Sequence, residues 1–107
     1  MEIVHLPSSA SGAEIAEVLR RDGAVVVDEM VDPGLLDRFF DEMQPFVDAT
    51  PNGSDGFTGF TTRRTGGLLA RSATAQELVM HPSVITTCDD FLGHVTSYQL
   101  HLTQIID

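Results

Sequence analysis

Four histidines (His5, His81, His94, His101), sixteen carboxylates and a single cysteine, Cys88, give this chain enough donor atoms for a metal site. Their spacing argues against one. There is no CxxC, no HExxH, and no histidine followed two places on by Asp or Glu, so no metal ligand and no catalytic residue is assigned. His81 stands before Pro82 and His94 after Gly93, and with His5 in the first short segment all three read as loop or edge residues. Cys88 is followed by Asp89 and Asp90, and neighbouring acids raise a thiol pKa, which works against a nucleophile. The Gly pairs lack the strand and helix of a phosphate-binding loop, and no lysine accompanies them. Two features remain. Arg63 and Arg64, the only basic cluster in the middle of the chain, would suit a bound carboxylate, because a guanidinium pairs with it through two parallel hydrogen bonds; on spacing alone they equally suit a solvated surface. His101 and Thr103 share one face of the final stretch, set among apolar residues, as in a strand that lines a pocket.

That stretch, Val95 to Asp107 (VTSYQLHLTQIID), is rich in β-branched, aromatic and aliphatic residues and reads as a central strand. It stops without a turn residue, so the chain reads as an N-terminal piece of something larger, with a strand edge open to self-association. Upstream, Ser11 and Glu14 fit a capping box that starts a helix from about Gly12 to Arg21, with Ile15, Val18 and Leu19 inward and Asp22-Gly23 ending it. Ala24 to Val27 reads as a short buried strand. Asp32-Pro33 opens a second helix whose inward set is Leu35, Leu36, Phe39, Phe40, Met43, Phe46 and Val47, with Pro45 expected to end or kink it. Asp48 to Gly67 is a long Gly- and Thr-rich loop carrying Phe57 and Phe60, and loops of that length in a compact domain are usually functional or disordered. A short helix around Thr74 to Met80, capped by Ser72 or Thr74, and a further one from Pro82 to Leu92 precede the last strand. Helices before the main sheet indicate α+β.

At 107 residues the chain is expected to form a single domain, 1–107, with one modest core. A formal charge of -10 repels polyanions, which disfavours nucleic acid and anionic membrane surfaces as partners. One cysteine forms no internal disulfide, and the first residues carry neither a basic nor a long apolar leader segment, so a cytoplasmic location is the expectation.

The series LRRDGAVVVDEMVDPGLLDRFFDEM, TTRRTGGLLARSATAQELVMHPSV and DDFLGHVTSYQLHLTQIID, in that order, resembles the N-terminal portion of the phytanoyl-CoA dioxygenase family, enzymes that use non-haem iron(II) and 2-oxoglutarate. The resemblance runs from about Ile15 to the end. It implies the entry helices and first strands of a double-stranded β-helix of jelly-roll or cupin-like type, and a parent enzyme that hydroxylates a small organic substrate. In that family a His-x-Asp pair and a later His hold the iron, leaving positions open for oxidant and substrate. Neither the pair nor the later His is found in this chain. His101 and Thr103 match strand positions that in the family face the 2-oxoglutarate pocket, and Arg63 or Arg64 matches a basic position near the co-substrate carboxylates. The competing reading is a catalytically inactive, truncated binding or dimerisation module.

Overall fold

A computed structural model describes residues 2–107. The elements are β1 (His5–Leu6), α1 (Gly12–Asp22), β2 (Val26–Val27), α2 (Pro33–Ala49), β3 (Arg64–Gly66), α3 (Leu68–Arg71), α4 (Ala73–Val79), α5 (Pro82–Phe91) and β4 (Gln104–Ile106). They fall into two compact units, one made of the chain up to Asp32 with Leu78–Gln99, the other of Pro33–Glu77 with Leu100–Asp107. The content is mixed α and β. The strands described form two separate two-stranded sheets rather than a closed barrel.

In the first unit α1 begins as its capping box requires: the Ser11 hydroxyl accepts from the Glu14 N–H at 3.1 Å, and the Glu14 carboxylate accepts from the Ser11 N–H at 2.8 Å. It ends at Gly23, whose φ of 80° suits a residue without a Cβ and whose N–H reaches the Leu19 carbonyl. Ile15, Ala16 and Val18 are buried on one face. The helix packs on α5 so closely at Gly12 that a Cβ there would lie 2.5 Å from the Thr86 carbonyl carbon. Pro82 sits in the first turn of α5, and the His81 ring accepts from the Ser83 N–H, a cap made by a residue that sequence alone assigned to a loop. β1 and β2 run parallel, His5 opposite Val26 and Leu6 opposite Val27. The buried strand expected over Ala24 to Val27 is shorter and more open: only Val26 and Val27 pair, and Val26 is 36% exposed.

In the second unit α2 buries Phe39, Met43 and Val47, one residue per turn, while Leu36, Phe40 and Phe46 face outward, so the inward stripe is narrower than the apolar pattern indicates. Pro45 does not end the helix. The chain stays helical to Ala49, with the Thr50 hydroxyl closing the last turn onto the Phe46 carbonyl and buried Val47 anchoring it. Ser72, rather than Thr74, caps α4 by accepting from the Ala75 N–H. β3 and β4 are antiparallel, with Arg64 opposite Ile106, Thr65 opposite Ile105 and Gly66 opposite Gln104.

The final stretch departs most from its reading. Of Val95 to Asp107 only Gln104–Ile106 is strand, and Val95 to Thr103 is irregular. Strand-type residues need a ladder to become a strand. Among the described residues the one available to this stretch is β3, itself three residues long and hidden inside what reads as a loop.

Candidate functional site

Two arginines stand in succession where the long loop enters β3, Arg63 just before the strand and Arg64 its first residue, and backbone alternation turns them to different surroundings. Arg63 is paired on both sides: its backbone bridges antiparallel to Asn52, and it exchanges N–H···O bonds with Asp107, at 2.9 Å from its own N–H and 3.1 Å to its carbonyl. Its guanidinium continues the pairing. Nε donates to one Asp107 carboxylate oxygen at 3.1 Å, Nη2 donates to the other, and Nη1 donates to the Val47 carbonyl at 3.3 Å. The Asp107 hydrogen bonds and charge hold the Arg63 pKa above its ordinary value. Each of the three guanidinium nitrogens is engaged, and the fork ties the end of α2 to the end of β4.

Arg64 is exposed and lies on a hollow of about 330 Å³ shared with Thr50, Asn52, Ser54, Thr58 and Thr62. Its walls combine hydroxyls and an amide with the apolar surface of Pro51 and the backbone of Gly53. Two of the hydroxyls are committed: Thr58 donates to Asp55, whose carboxyl is held below its usual range by the Thr58 N–H and hydroxyl, and Thr50 donates to Phe46 while accepting from buried Thr65. Ser54 and Thr62 have side chains without a hydrogen-bond partner among the described residues. The loop is ordered by its own bonds, from the Gly53 N–H to the Thr62 carbonyl and from the Gly59 N–H to the Asp55 carbonyl, with φ of 83° at Gly59. Phe57 and Phe60 project from it, 91% and 66% exposed.

His101 and Thr103 line a second hollow, of about 250 Å³, with Gly67, Leu69, Ala70 and the aliphatic Leu100 and Leu102. They lie on irregular chain, not on a strand. The Thr103 hydroxyl accepts from the Leu68 N–H at 3.1 Å, supplying the cap that Gly67, without a side chain, cannot give α3. The structure therefore brings His101 and Thr103 together, gives Arg64 a hollow of its own, and spends Arg63 on Asp107. Asp107 and Asn52 stand unassigned in the sequence because nothing in it marks the register that pairs them with Arg63.

Among the described residues no three His, Cys, Asp or Glu side chains gather where a metal ion could be held. The nearest approach to a ligand pair is His5 Nδ1 against Asp28 Oδ1 at 2.8 Å, an exposed contact linking the ends of β1 and β2. No helix of the described residues is long and apolar enough to cross a membrane.

No family model matches the chain. It is similar to the dioxygenase swnH2 of Arthroderma benhamiae, 30% identical over 80 residues that cover 72% of this chain and 25% of that protein. It is also similar to the dioxygenase FrzG of Cladobotryum sp, 28% identical over 118 aligned positions that cover 95% of this chain and 39% of that one. The chain thus spans between a quarter and two fifths of these curated relatives. Both are dioxygenases, and the likeness supports a dioxygenase family for this chain.

Proposed function

We propose that this chain is the N-terminal part of a non-haem iron(II)- and 2-oxoglutarate-dependent dioxygenase of phytanoyl-CoA dioxygenase type, one that hydroxylates a small organic substrate in the cytoplasm. The single observation that carries this is the likeness to the two fungal dioxygenases, in one case along nearly the whole chain. A double-stranded β-helix is the architecture that goes with the reading, with α1, α2 and α5 as its entry helices and the β3–β4 pair as the start of a sheet.

The described residues do not form an iron site by themselves. The reading requires the metal ligands to come from other sequence. What these residues contribute is placement. The hydroxyl-lined hollow at Arg64 suits an acceptor-rich group, the Leu-lined hollow at His101 suits an apolar one, and the loop bearing Phe57 and Phe60 suits a cover that keeps water away from an apolar substrate. Arg63 serves this arrangement indirectly, by fixing β4 beside β3.

The test is conversion of 2-oxoglutarate to succinate by the full-length protein supplied with iron(II) and oxygen, followed by NMR. Succinate formation that stops on chelation is the expected result. A folded full-length protein that binds no iron(II) and forms no succinate would overturn the reading, and would favour a binding or dimerisation module.

A further inference from the structure

Asn52 is the one asparagine of the chain, and Gly53 follows it. An asparagine before glycine is a labile amide, because a residue without a Cβ leaves its backbone nitrogen open to the neighbouring carboxamide. Asn52 is exposed, and its carboxamide has no hydrogen-bond partner among the described residues. The fold does not let the glycine be exchanged: a Cβ at Gly53 would lie 2.5 Å from the Thr58 hydroxyl oxygen and 2.6 Å from the Gly59 carbonyl oxygen. The loop therefore keeps a reactive dipeptide, and it also restrains it. The Gly53 N–H, whose nitrogen is the attacking atom, donates to the Thr62 carbonyl at 3.0 Å, and Asn52 itself bridges antiparallel to Arg63. Arg63 is held on its other side by Asp107, through two backbone hydrogen bonds and the guanidinium–carboxylate fork. Asn52, Arg63 and Asp107 thus stand side by side across three segments of one unit.

We propose that Asn52 is a site of spontaneous deamidation, kept closed by the row Asn52–Arg63–Asp107 and opened when Asp107 is withdrawn from it. In the reaction the Gly53 nitrogen gives its proton to hydroxide and attacks the side-chain carbonyl carbon of Asn52. A C–N bond forms and closes a five-membered succinimide, the carboxamide C–N bond breaks, and the nitrogen leaves as ammonia with a proton taken from water. Water then adds to either imide carbonyl and opens the ring to aspartate or isoaspartate. Water enters, ammonia leaves, and nothing is oxidised or reduced. Either product sets a carboxylate on the wall of the hollow that Asn52 shares with Arg64. Isoaspartate also routes the main chain through the former side chain, and a chain lengthened by one atom cannot hold the register of Asn52 against Arg63. Asp55, followed by Gly56 in the same loop, can isomerise by the same ring closure but without a change of mass. This proposal does not depend on the oxygenase reading.

The experiment incubates the full-length protein in mildly alkaline buffer, native and in denaturing guanidinium chloride, and digests samples with trypsin. The peptide Phe39–Arg63 is then followed by mass spectrometry for the gain that marks conversion of an amide to an acid. The native rate should lie below the denatured rate by at least about tenfold, as for a reaction that waits on local opening. Asp107→Ala, which removes the fork on Arg63, should raise the native rate, and Asn52→Ser should abolish the mass gain. Gly53→Ala is not used, because its methyl group would collide with Thr58 and Gly59. Where circular dichroism shows Asp107→Ala to be unfolded, sub-denaturing guanidinium chloride on the parent takes its place: a rate that climbs with denaturant supports the closed row, and a flat rate overturns it. Equal rates in the native and denatured parent, or a folded Asp107→Ala that deamidates at the parental rate, also overturn the proposal. A mass gain that survives Asn52→Ser would move the reaction to Gln44 and overturn it as well.

Discussion

Arg63 and Arg64 are the same residue one step apart, and backbone alternation gives them different surroundings. Neither is written in the dipeptide. What separates them is Asp107, 44 positions away, which the β3–β4 register sets against Arg63. Tyr98 offers a cleaner residue-scale test. Its hydroxyl donates to Asp89 at 2.5 Å, and that hydrogen bond, with partial burial and the Asp89 charge behind it, pushes its pKa up to about 12. A phenol whose folded pKa is raised favours the fold fully below its unfolded value of about 10, and that contribution is lost as pH rises through about 12. It is the one tyrosine, and there is no tryptophan, so the tyrosinate absorbance reports this group directly. The expected titration midpoint is near 12 in the folded protein, nearer 10 in urea, and lower in Asp89→Asn than in the parent. A midpoint that does not move in Asp89→Asn would remove the hydrogen bond as its cause.

Helices were legible in the sequence where their signals are local. Ser11 with Glu14, Gly23, Pro33 and Pro82 lie within a turn of the ends they set, and each does what its chemistry requires. Pro45 does not end the helix, which loses one hydrogen bond there while buried Met43 and Val47 hold the turns on either side. Strands were less legible, since a strand is a property of two segments. β3 lies in a Thr-Gly stretch of loop composition, and Val95 to Thr103 has strand composition without a partner. The contact of α1 with α5 was legible in neither, and it makes a sharp prediction. Gly12→Ala gains helix propensity of up to about 1 kcal/mol, but its methyl would meet the Thr86 backbone, and overpacking of this kind costs about 1–3 kcal/mol. The expected net result is a lower urea midpoint, measured by circular dichroism. Ala13→Gly, on the exposed side of the same turn, should cost about 1 kcal/mol through propensity alone.

At the scale of the molecule, negative charge and exposed apolar side chains act against each other. β4 is hydrogen-bonded to β3 on one side only among the described residues, and Ile106 on it is 54% exposed. Leu100, Leu102, Phe57 and Phe60 add to the apolar surface of the same unit. An open edge of this kind is a template for another strand. The 107-residue polypeptide is expected to self-associate, and to do so more as salt screens its charge. Ile106→Glu should shift it toward monomer in light scattering after size exclusion. A parent that is still monomeric at about 0.5 M salt, where the Debye length is only about 4 Å, would remove the edge as an association site.

The two units alternate along the sequence, Pro33–Glu77 lying between the pieces of the first and Leu78–Gln99 between the pieces of the second. A single cut anywhere inside the chain therefore divides at least one of them. A ribosome making about 5–20 residues per second releases Arg63 well before Asp107, so during that interval the guanidinium has no carboxylate to close on and the β3–β4 ladder has no second rail. The nascent chain must carry its second unit unfinished until Leu100–Asp107 has left the exit tunnel.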